Sequence, residues 1–331
     1  MVSKLLRAKL NRLLNVPPYL LPRNSSILVG VSGGQDSLCL VQLLRTLQPK
    51  WHWHLAIAHC DHQWRADSTA NAQHVRQLAS DWGLAFHLRT AKVPPNNEAT
   101  ARQWRYAMLE EMALDAQCQI VVTGHTRSDR AETFLFNLMR GSGTEGLQSL
   151  YWQRPLGDKL ALVRPLLDIS RDQTLEYCQE LGLPIWLDST NNNLDYQRNR
   201  IRQELIPYLV QHFNPQIERA LAQTADLLHA DADYLEHQTE RAWQNEELPK
   251  INRIDLSRQH PALQRRIARQ FLQYHLRQSV GFAHVEKFLR LVAVPNRSRC
   301  DRFPGGSWAE VDHPWIWLRH NSGDNGISYI K

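Results

Sequence analysis

Ile27-Leu28-Val29-Gly30-Val31-Ser32-Gly33-Gly34-Gln35-Asp36-Ser37 is the stretch whose reading decides the fold of this chain. A short apolar run with β-branched side chains reads as a buried parallel strand. It breaks at a Ser-Gly-Gly turn, and residues 38–47 then carry apolar side chains at helical spacing. Strand, glycine turn and helix start together make an anion site, because glycines let backbone N–H groups approach a ligand and the helix N-terminus adds partial positive charge. Ser32 and Ser37 supply hydroxyl donors. Asp36 narrows the reading: a carboxylate beside a bound phosphate repels it unless a divalent cation bridges them, which points to Mg²⁺ with Asp36 as its ligand. The stretch lacks the Gly-Lys-Ser/Thr of a Walker A loop, and no GxGxxG is present. The structural alternative is an ordinary strand-to-helix turn with an aspartate near the N-cap.

Outward from this loop, strand and helix patterns alternate. Strands are expected at residues 55–60, 85–88 and 119–123, with one more short strand before Arg164. Helices are expected over 68–82, 97–116, 129–140 and 171–181. The pattern predicts an α/β fold, a doubly wound and mainly parallel five-stranded sheet with helices on both faces. In such sheets ligands sit beyond the carboxyl ends of the strands, so the polar residues there belong to one candidate site. After the second strand stand His59 and Asp61, which share a face by strand periodicity; they suit hydrogen bonding or, less commonly, metal binding. Glu98, Arg102 and Arg105 lie on one helix face, either as a salt-bridged surface or as an arginine face aimed at phosphate. After the fourth strand, His125 faces the site, while Asp129 and Glu132 fall in the first turns of the next helix, where carboxylates also complement the helix dipole. That helix ends in Arg140-Gly141-Ser142-Gly143, a turn able to wrap an anion or to serve as a plain C-cap. The segment 188–202 has a polar half from Asp188 to Asn193 and then three arginines in five residues, including Arg198 and Arg202 around Asn199.

These motifs, in this order, resemble the N-type ATP pyrophosphatases, whose pyrophosphate loop reads SGGxDS and whose members split ATP into AMP and pyrophosphate while adenylating a substrate. Within that superfamily the chain resembles the tRNA(Ile)-lysidine synthetase branch over about residues 27–207. Residues 59–65 resemble HxDHxLR, with Trp64 in place of leucine. Residues 98–106 resemble E-x-x-AR-x-x-RY, and residues 188–202 resemble D-x-[ST]-N…D…RN-x-[IL]R. Residues 124–133 resemble GHHxDDQxET, but Thr126, Ser128 and Arg130 depart from it, so no role carries over to those three. The resemblance implies an adenine-nucleotide α-hydrolase-like fold. It implies ATP as substrate and Mg²⁺ as cofactor, and ligation of free L-lysine to the wobble cytidine of the CAU anticodon of tRNA(Ile). Ser32, Gly33, Gly34, Gln35, Asp36, Ser37, His59 and Asp61 would then bind ATP. Asp36, His125, Asp129, Glu132 and Arg164 would line the reacting centre. Arg102, Arg105, Arg140, Arg198, Asn199 and Arg202 would hold tRNA.

The chain has 331 residues and a formal net charge of +6, which predicts two domains and is consistent with a nucleic-acid partner. The boundary is expected at 212/213, with a catalytic domain at 1–212 and a smaller, mainly helical tRNA-binding domain at 213–331. The helical part segregates charge: residues 218–247 hold 8 acidic against 2 basic side chains, and residues 253–302 hold 11 basic against 3 acidic. The basic block, with Arg265, Arg266 and Arg269, reads as a backbone-binding footprint, with complementary packing of two helical elements as the alternative. Residues 307–320 read as a hairpin in which Trp315 and Trp317 are core residues. Longer members of the branch carry a further C-terminal module that this chain is expected to lack. The first 14 residues are basic and amphipathic, a packed helix rather than a transit peptide. No apolar run approaches a membrane span. The five cysteines contain no CxxC, which excludes the usual disulfide and zinc patterns and weighs against a tRNA thiolation enzyme. A cytoplasmic location follows as the default; the oligomeric state stays open. The rival of a different class is a non-catalytic RNA-binding relative.

Overall fold

The computed structural model describes residues 1–17, 19–187, 193–243 and 247–320. The chain divides into two compact units, Met1–His229 and Ala230–Lys331.

The first unit is built on one six-stranded sheet: β1 (Ser26–Gly30), β2 (His54–Asp61), β3 (Ala85–Thr90), β4 (Ile120–Thr123), β5 (Gln153–Leu156) and β6 (Leu160–Val163), in the order β3-β2-β1-β4-β6-β5. All neighbours pair parallel except β5, which runs antiparallel to β6 at the edge. The sequence reading expects five strands and omits β5. Its four residues, Gln153-Arg154-Pro155-Leu156, lack apolar alternation, and Pro155 removes a ladder donor that only an edge strand can spare.

Helices cover both faces because the strand residues alternate between two cores. Ile27 and Val29 of β1 point into one cluster with α1 (Val2–Leu14), α2 (Gln35–Trp51), α3 (Ser68–Asp81) and α7 (Arg171–Glu180). Leu28 points the other way, with Ala56 and Ala58, against Leu109 and Met112 of α4 (Glu98–Asp115). Full burial of each of these aliphatic side chains contributes roughly 1.5–3 kcal/mol before entropy is counted. The N-terminal helix is the packed helix expected, with Leu6, Leu10 and Leu14 buried. The strand order reverses between β1 and β4, so the loop after β1 and the loop after β4 open onto a shared crevice. From β4 the chain runs through α5 (Arg127–Met139) and the short α6 (Thr144–Leu147) to β5. A further segment, α8 (Gln197–Arg200), continues through a π-helical turn, Ile201–Leu205, into α9 (Ile206–His212). It packs Ile201 and Ile206 on Ala131 and Leu135 of α5. α10 (Ile217–Ala242) follows.

The second unit joins α11 (Arg253–Arg258), α12 (Pro261–Leu276) and α13 (Phe282–Leu289) to a three-stranded antiparallel sheet of β7 (Lys250–Asn252), β8 (Trp308–Asp312) and β9 (Trp315–Arg319), ordered β7-β9-β8. The hairpin forms where expected, but its inward residues are Ile316 and Leu318, at 0% and 2% exposure. Trp315 and Trp317 are therefore not core. By strand alternation they lie on the opposite face, where the Lys250 ammonium sits 4.0 Å from the Trp315 ring centroid.

Candidate active site

The loop after β1 is held by Asn71 of α3 and by its own Ser37. Gly33 takes φ +87°, and a Cβ there would lie 2.6 Å from Asn71 Oδ1, so only glycine fits. Asn71 Nδ2 donates to the Ser32 carbonyl (3.0 Å), and Ser37 Oγ donates to the Gly34 carbonyl (2.8 Å). Gly34 is the N-cap of α2 and offers no side-chain cap, so the first N–H groups of α2 are left for an anion. Gln35 turns its side chain away, donating to the Arg171 carbonyl (2.8 Å) and to Thr174 Oγ1 (3.2 Å). Across the crevice, Gly124 brings β4 against the loop: a Cβ there would meet the Asp36 carbonyl oxygen at 2.9 Å.

A cavity of about 470 Å³ opens beyond these strand ends. Among its walls are Ser32, Asp36, Ser37, His59, Asp61, Arg102, Arg105, His125, Asp129, Glu132, Arg198, Asn199 and Arg202, all of them expected site residues. Gly33, Gly34, Gln35, Arg140 and Arg164 are not among the lining residues. Arg265, Arg266 and Arg269 lie in the second unit. Residues 188–192, the polar half of the branch-specific motif, lie outside the described residues.

His59 is buried, with Nδ1 2.7 Å from the Val31 carbonyl, which fixes that nitrogen as the donor and leaves Nε2 to accept. Burial lowers its pKa, so it is neutral at pH 7. Asp61 accepts from the Gln63 backbone N–H (2.8 Å). The pair thus makes hydrogen bonds. His125 contacts Thr123 Oγ1 (2.9 Å). Burial, helped by Arg164, Arg102 and Arg105 against Asp129, pushes its pKa down to about 3, so it is neutral too.

Three carboxylates converge on one guanidinium. Arg171 donates from Nη2 to Asp129 Oδ1 (2.6 Å), from Nη1 to Glu132 Oε1 (3.0 Å) and from Nε to Asp36 Oδ2 (3.3 Å). Thr174 Oγ1 donates to Asp36 Oδ1. Arg202, delivered by the π-helical turn, grips Glu132 with two bonds of 2.7 and 3.0 Å. Burial raises the Asp36 pKa, with Arg171 pulling the other way and Asp129 adding to the rise. Burial also works on Asp129, but Arg171, His125 and the Thr126 donors outweigh it and hold this carboxyl below its ordinary value. These hard oxygen donors suit Mg²⁺, which takes one or two carboxylates plus substrate phosphates. Among the described residues no three His, Cys, Asp or Glu side chains form an all-protein cage.

Arginines line the same cavity. Arg102 lies over the Tyr106 ring (5.2 Å to the centroid), as does Arg154 (4.7 Å). Arg164, 2% exposed, stands behind Tyr106, bonded to it and to the Tyr151 carbonyl (2.7 Å). Arg105 Nε donates to His62 Nε2 (3.3 Å). Glu98 reaches Arg198 (2.7 Å). Arg140 and Arg198 both lie over the Phe136 ring (5.2 and 5.6 Å).

The three motif departures have structural work. Thr126 caps α5 reciprocally with Asp129, a contribution of about 1 kcal/mol. Ser128 Oγ donates to Glu218 (2.9 Å) and accepts from the Arg171 N–H (3.2 Å). Arg130, 1% exposed, pairs with Asp226 at 2.6 Å. Sequence reasoning missed Arg171, Thr174 and Tyr106. A helix N-terminus after Ser170 is legible, but nothing local marks Arg171 as facing the carboxylates of two other helices.

The PP-loop domain family matches residues 3–209. The chain is 53% identical to the tRNA(Ile)-lysidine synthase of a Nostoc species, over 97% of this chain and 98% of that protein. It is 50% identical to the same-named protein of a Synechococcus species, over 91% and 92%. To the chloroplastic one of Pyropia yezoensis it is 38% identical, over 82% and 84%. Among solved structures it is similar to the U34-tRNA thiolase NcsA of Methanococcus maripaludis, with a TM-score of 0.58 at 17% identity, covering 69% of this chain and 79% of that one. That likeness concerns the fold.

Proposed function

The chain belongs to the tRNA(Ile)-lysidine synthase family of PP-loop enzymes, and from that premise we propose how its cavity carries out the ligation. The family activity is ATP-dependent formation of lysidine at the wobble position of tRNA(Ile). We assign free L-lysine as the second substrate, Mg²⁺ as cofactor and the cytoplasm as location; no helix among the described residues is long and apolar enough to cross a membrane. One observation carries the reading: Asp36 of the PP-loop, neutral His125 and the Asp129–Glu132 carboxylates line one cavity together with Arg102 and Arg105.

Backbone N–H groups at the start of α2, with Ser32 and Ser37, hold the β- and γ-phosphates. Mg²⁺ held by Asp36 and the phosphates would offset the charge that builds up as pyrophosphate leaves. The C2 oxygen of the cytidine attacks the α-phosphorus, pyrophosphate departs, and C2 carries an AMP leaving group. The ε-ammonium of lysine gives up a proton to a cavity carboxylate or to solvent, the neutral amine bonds to C2, and AMP departs with the former C2 oxygen and the surplus N–H proton. In solution that amine is protonated, with a pKa near ~10.4. Asp129 and Glu132 are placed to receive the ammonium, and Arg102 and Arg105 in the same cavity favour its neutral form by like-charge repulsion. Neutral His125 offers a hydrogen-bond partner without adding charge.

A thiolation reading finds little support in the cysteines. All five are free, and burial pushes the Cys60 and Cys178 thiols up to about 12, the reverse of a reactive thiolate.

We assign the second unit to tRNA binding. Its basic helix α12 buries Ile267 and Phe271 while Arg265 pairs with Glu286 (2.7 Å) and Arg266 with Glu236 (3.8 Å), so phosphates must compete with these pairs. tRNA affinity should fall steeply with salt. Replacing Arg265, Arg266 and Arg269 together by alanine should weaken tRNA binding by about tenfold or more and leave ATP binding unchanged. Filter binding checks both; no loss of tRNA affinity would assign the block to packing alone.

A further inference from the structure

Arg171 sits where a cation-binding site would be expected to keep its carboxylates free. Its guanidinium occupies Asp36, Asp129 and Glu132 together. Among the described residues, only Glu132 has a second guanidinium, from Arg202. Counting direct contacts alone, three carboxylates share two guanidinium groups, an excess of one negative charge within this cluster. Burial makes such an excess costly unless a further cation arrives.

The backbone of Arg171 is held in place, and its side chain divides its donors among three carboxylates. Ser170 caps α7 through Gln173. The Arg171 N–H donates to Ser128 Oγ (3.2 Å), and its carbonyl accepts from Gln35 Nε2 (2.8 Å). Of its three carboxylate contacts, the one to Asp36 is the longest, 3.3 Å against 2.6 and 3.0 Å. Asp36 also accepts from Thr174, so it loses only one of two partners if Arg171 lets go.

We propose that Arg171 is the resident counter-ion of the site: it holds the PP-loop carboxylate and the α5 carboxylates together in the free enzyme and competes with the incoming divalent cation for Asp36. When the metal takes Asp36, the guanidinium keeps Asp129 and Glu132 and so fixes the carboxylates that receive the amine. Arg171 is a positioning residue, and its competition makes metal binding wait for the nucleotide phosphates, which add the ligands that tip the balance. The inference rests on Asp36 as the metal ligand.

The test is Mn²⁺ alone, titrated into the full chain without ATP, lysine or tRNA at about pH 8 and read by calorimetry or electron paramagnetic resonance. Arg171→Met removes the competing charge and should bind Mn²⁺ about tenfold tighter than the wild type, or more. Arg171→Lys keeps the charge and should stay within about threefold of it. A folded Arg171→Met variant that binds Mn²⁺ no tighter overturns the proposal. If that variant unfolds in metal-free buffer, saturating Mn²⁺ should restore its melting transition; failure to do so overturns the proposal equally. Asp36→Asn separates the two levels of the claim. Mn²⁺ binding that Asp36→Asn leaves unchanged removes Asp36 as metal ligand. Binding that Asp36→Asn weakens but Arg171→Met does not strengthen leaves the metal reading intact and removes only the counter-ion.

Discussion

Asp36→Ala should abolish ATP-dependent pyrophosphate release, by about 100-fold or more, while leaving the fold in place. The side chain is 20% exposed on the cavity wall, and its helix is anchored elsewhere by Leu38, Leu40, Val41 and Leu44. Its loss leaves Thr174 and Arg171 short of an acceptor, but Arg171 retains two carboxylates. Asp36→Asn preserves the shape and one oxygen yet removes the charge that the metal and the phosphates are balanced against. It should be nearly as damaging. Release is measured with ATP and tRNA, and thermal melting serves as the control for folding. Near-wild-type release from either variant would contradict the assignment of Asp36 to the metal.

Asp129→Asn should strike the second half-reaction. Asp129 Oδ2 accepts from the Thr126 N–H and hydroxyl, both at 2.8 Å, while Oδ1 faces Arg171 at 2.6 Å. An asparagine can keep its carbonyl toward Thr126 only by turning its NH₂ toward the guanidinium, donor against donor. It also removes the charge proposed to receive the lysine ammonium. Lysine-dependent AMP release should fall by about 100-fold or more, with ATP and tRNA binding little changed. Equal losses in ATP binding and in turnover would instead make Asp129 a structural cap of α5.

The core of the fold is legible in the sequence because its signals are local. The strand of residues 27–31, the SGGQDS turn and the alternation of strand and helix up to Thr123 each rest on periodicity within a few residues. The polar groups at strand ends follow from topology alone, which is why His59, Asp61, His125 and Asp129 reach one cavity. Non-local features are harder to read. β5 exists only because β6 offers it an edge, and β7 is three residues long. The Trp315–Trp317 face inverts the expectation because alternation fixes that two faces differ, not which of them meets the core. Ile316 and Leu318 meet the core, and the tryptophans stack with Lys250 instead. Arg171 was hidden for the same reason: its partners lie 135, 42 and 39 residues away in the chain. Arg164 shows the converse: expected at the reacting centre, it does not line the cavity but stands behind Tyr106 and acts on His125 through its charge.

The central claim is that this cavity joins lysine to a cytidine, and the mass of the modified nucleoside tests it most directly. Isoleucine tRNA with a CAU anticodon is incubated with the protein, ATP, Mg²⁺ and lysine, then digested and analysed by mass spectrometry. The wobble cytidine should gain the mass of lysine less one water, and only when ATP and lysine are both present. A gain matching the exchange of oxygen for sulfur, or an unchanged cytidine on a tRNA that binds normally, would contradict the account.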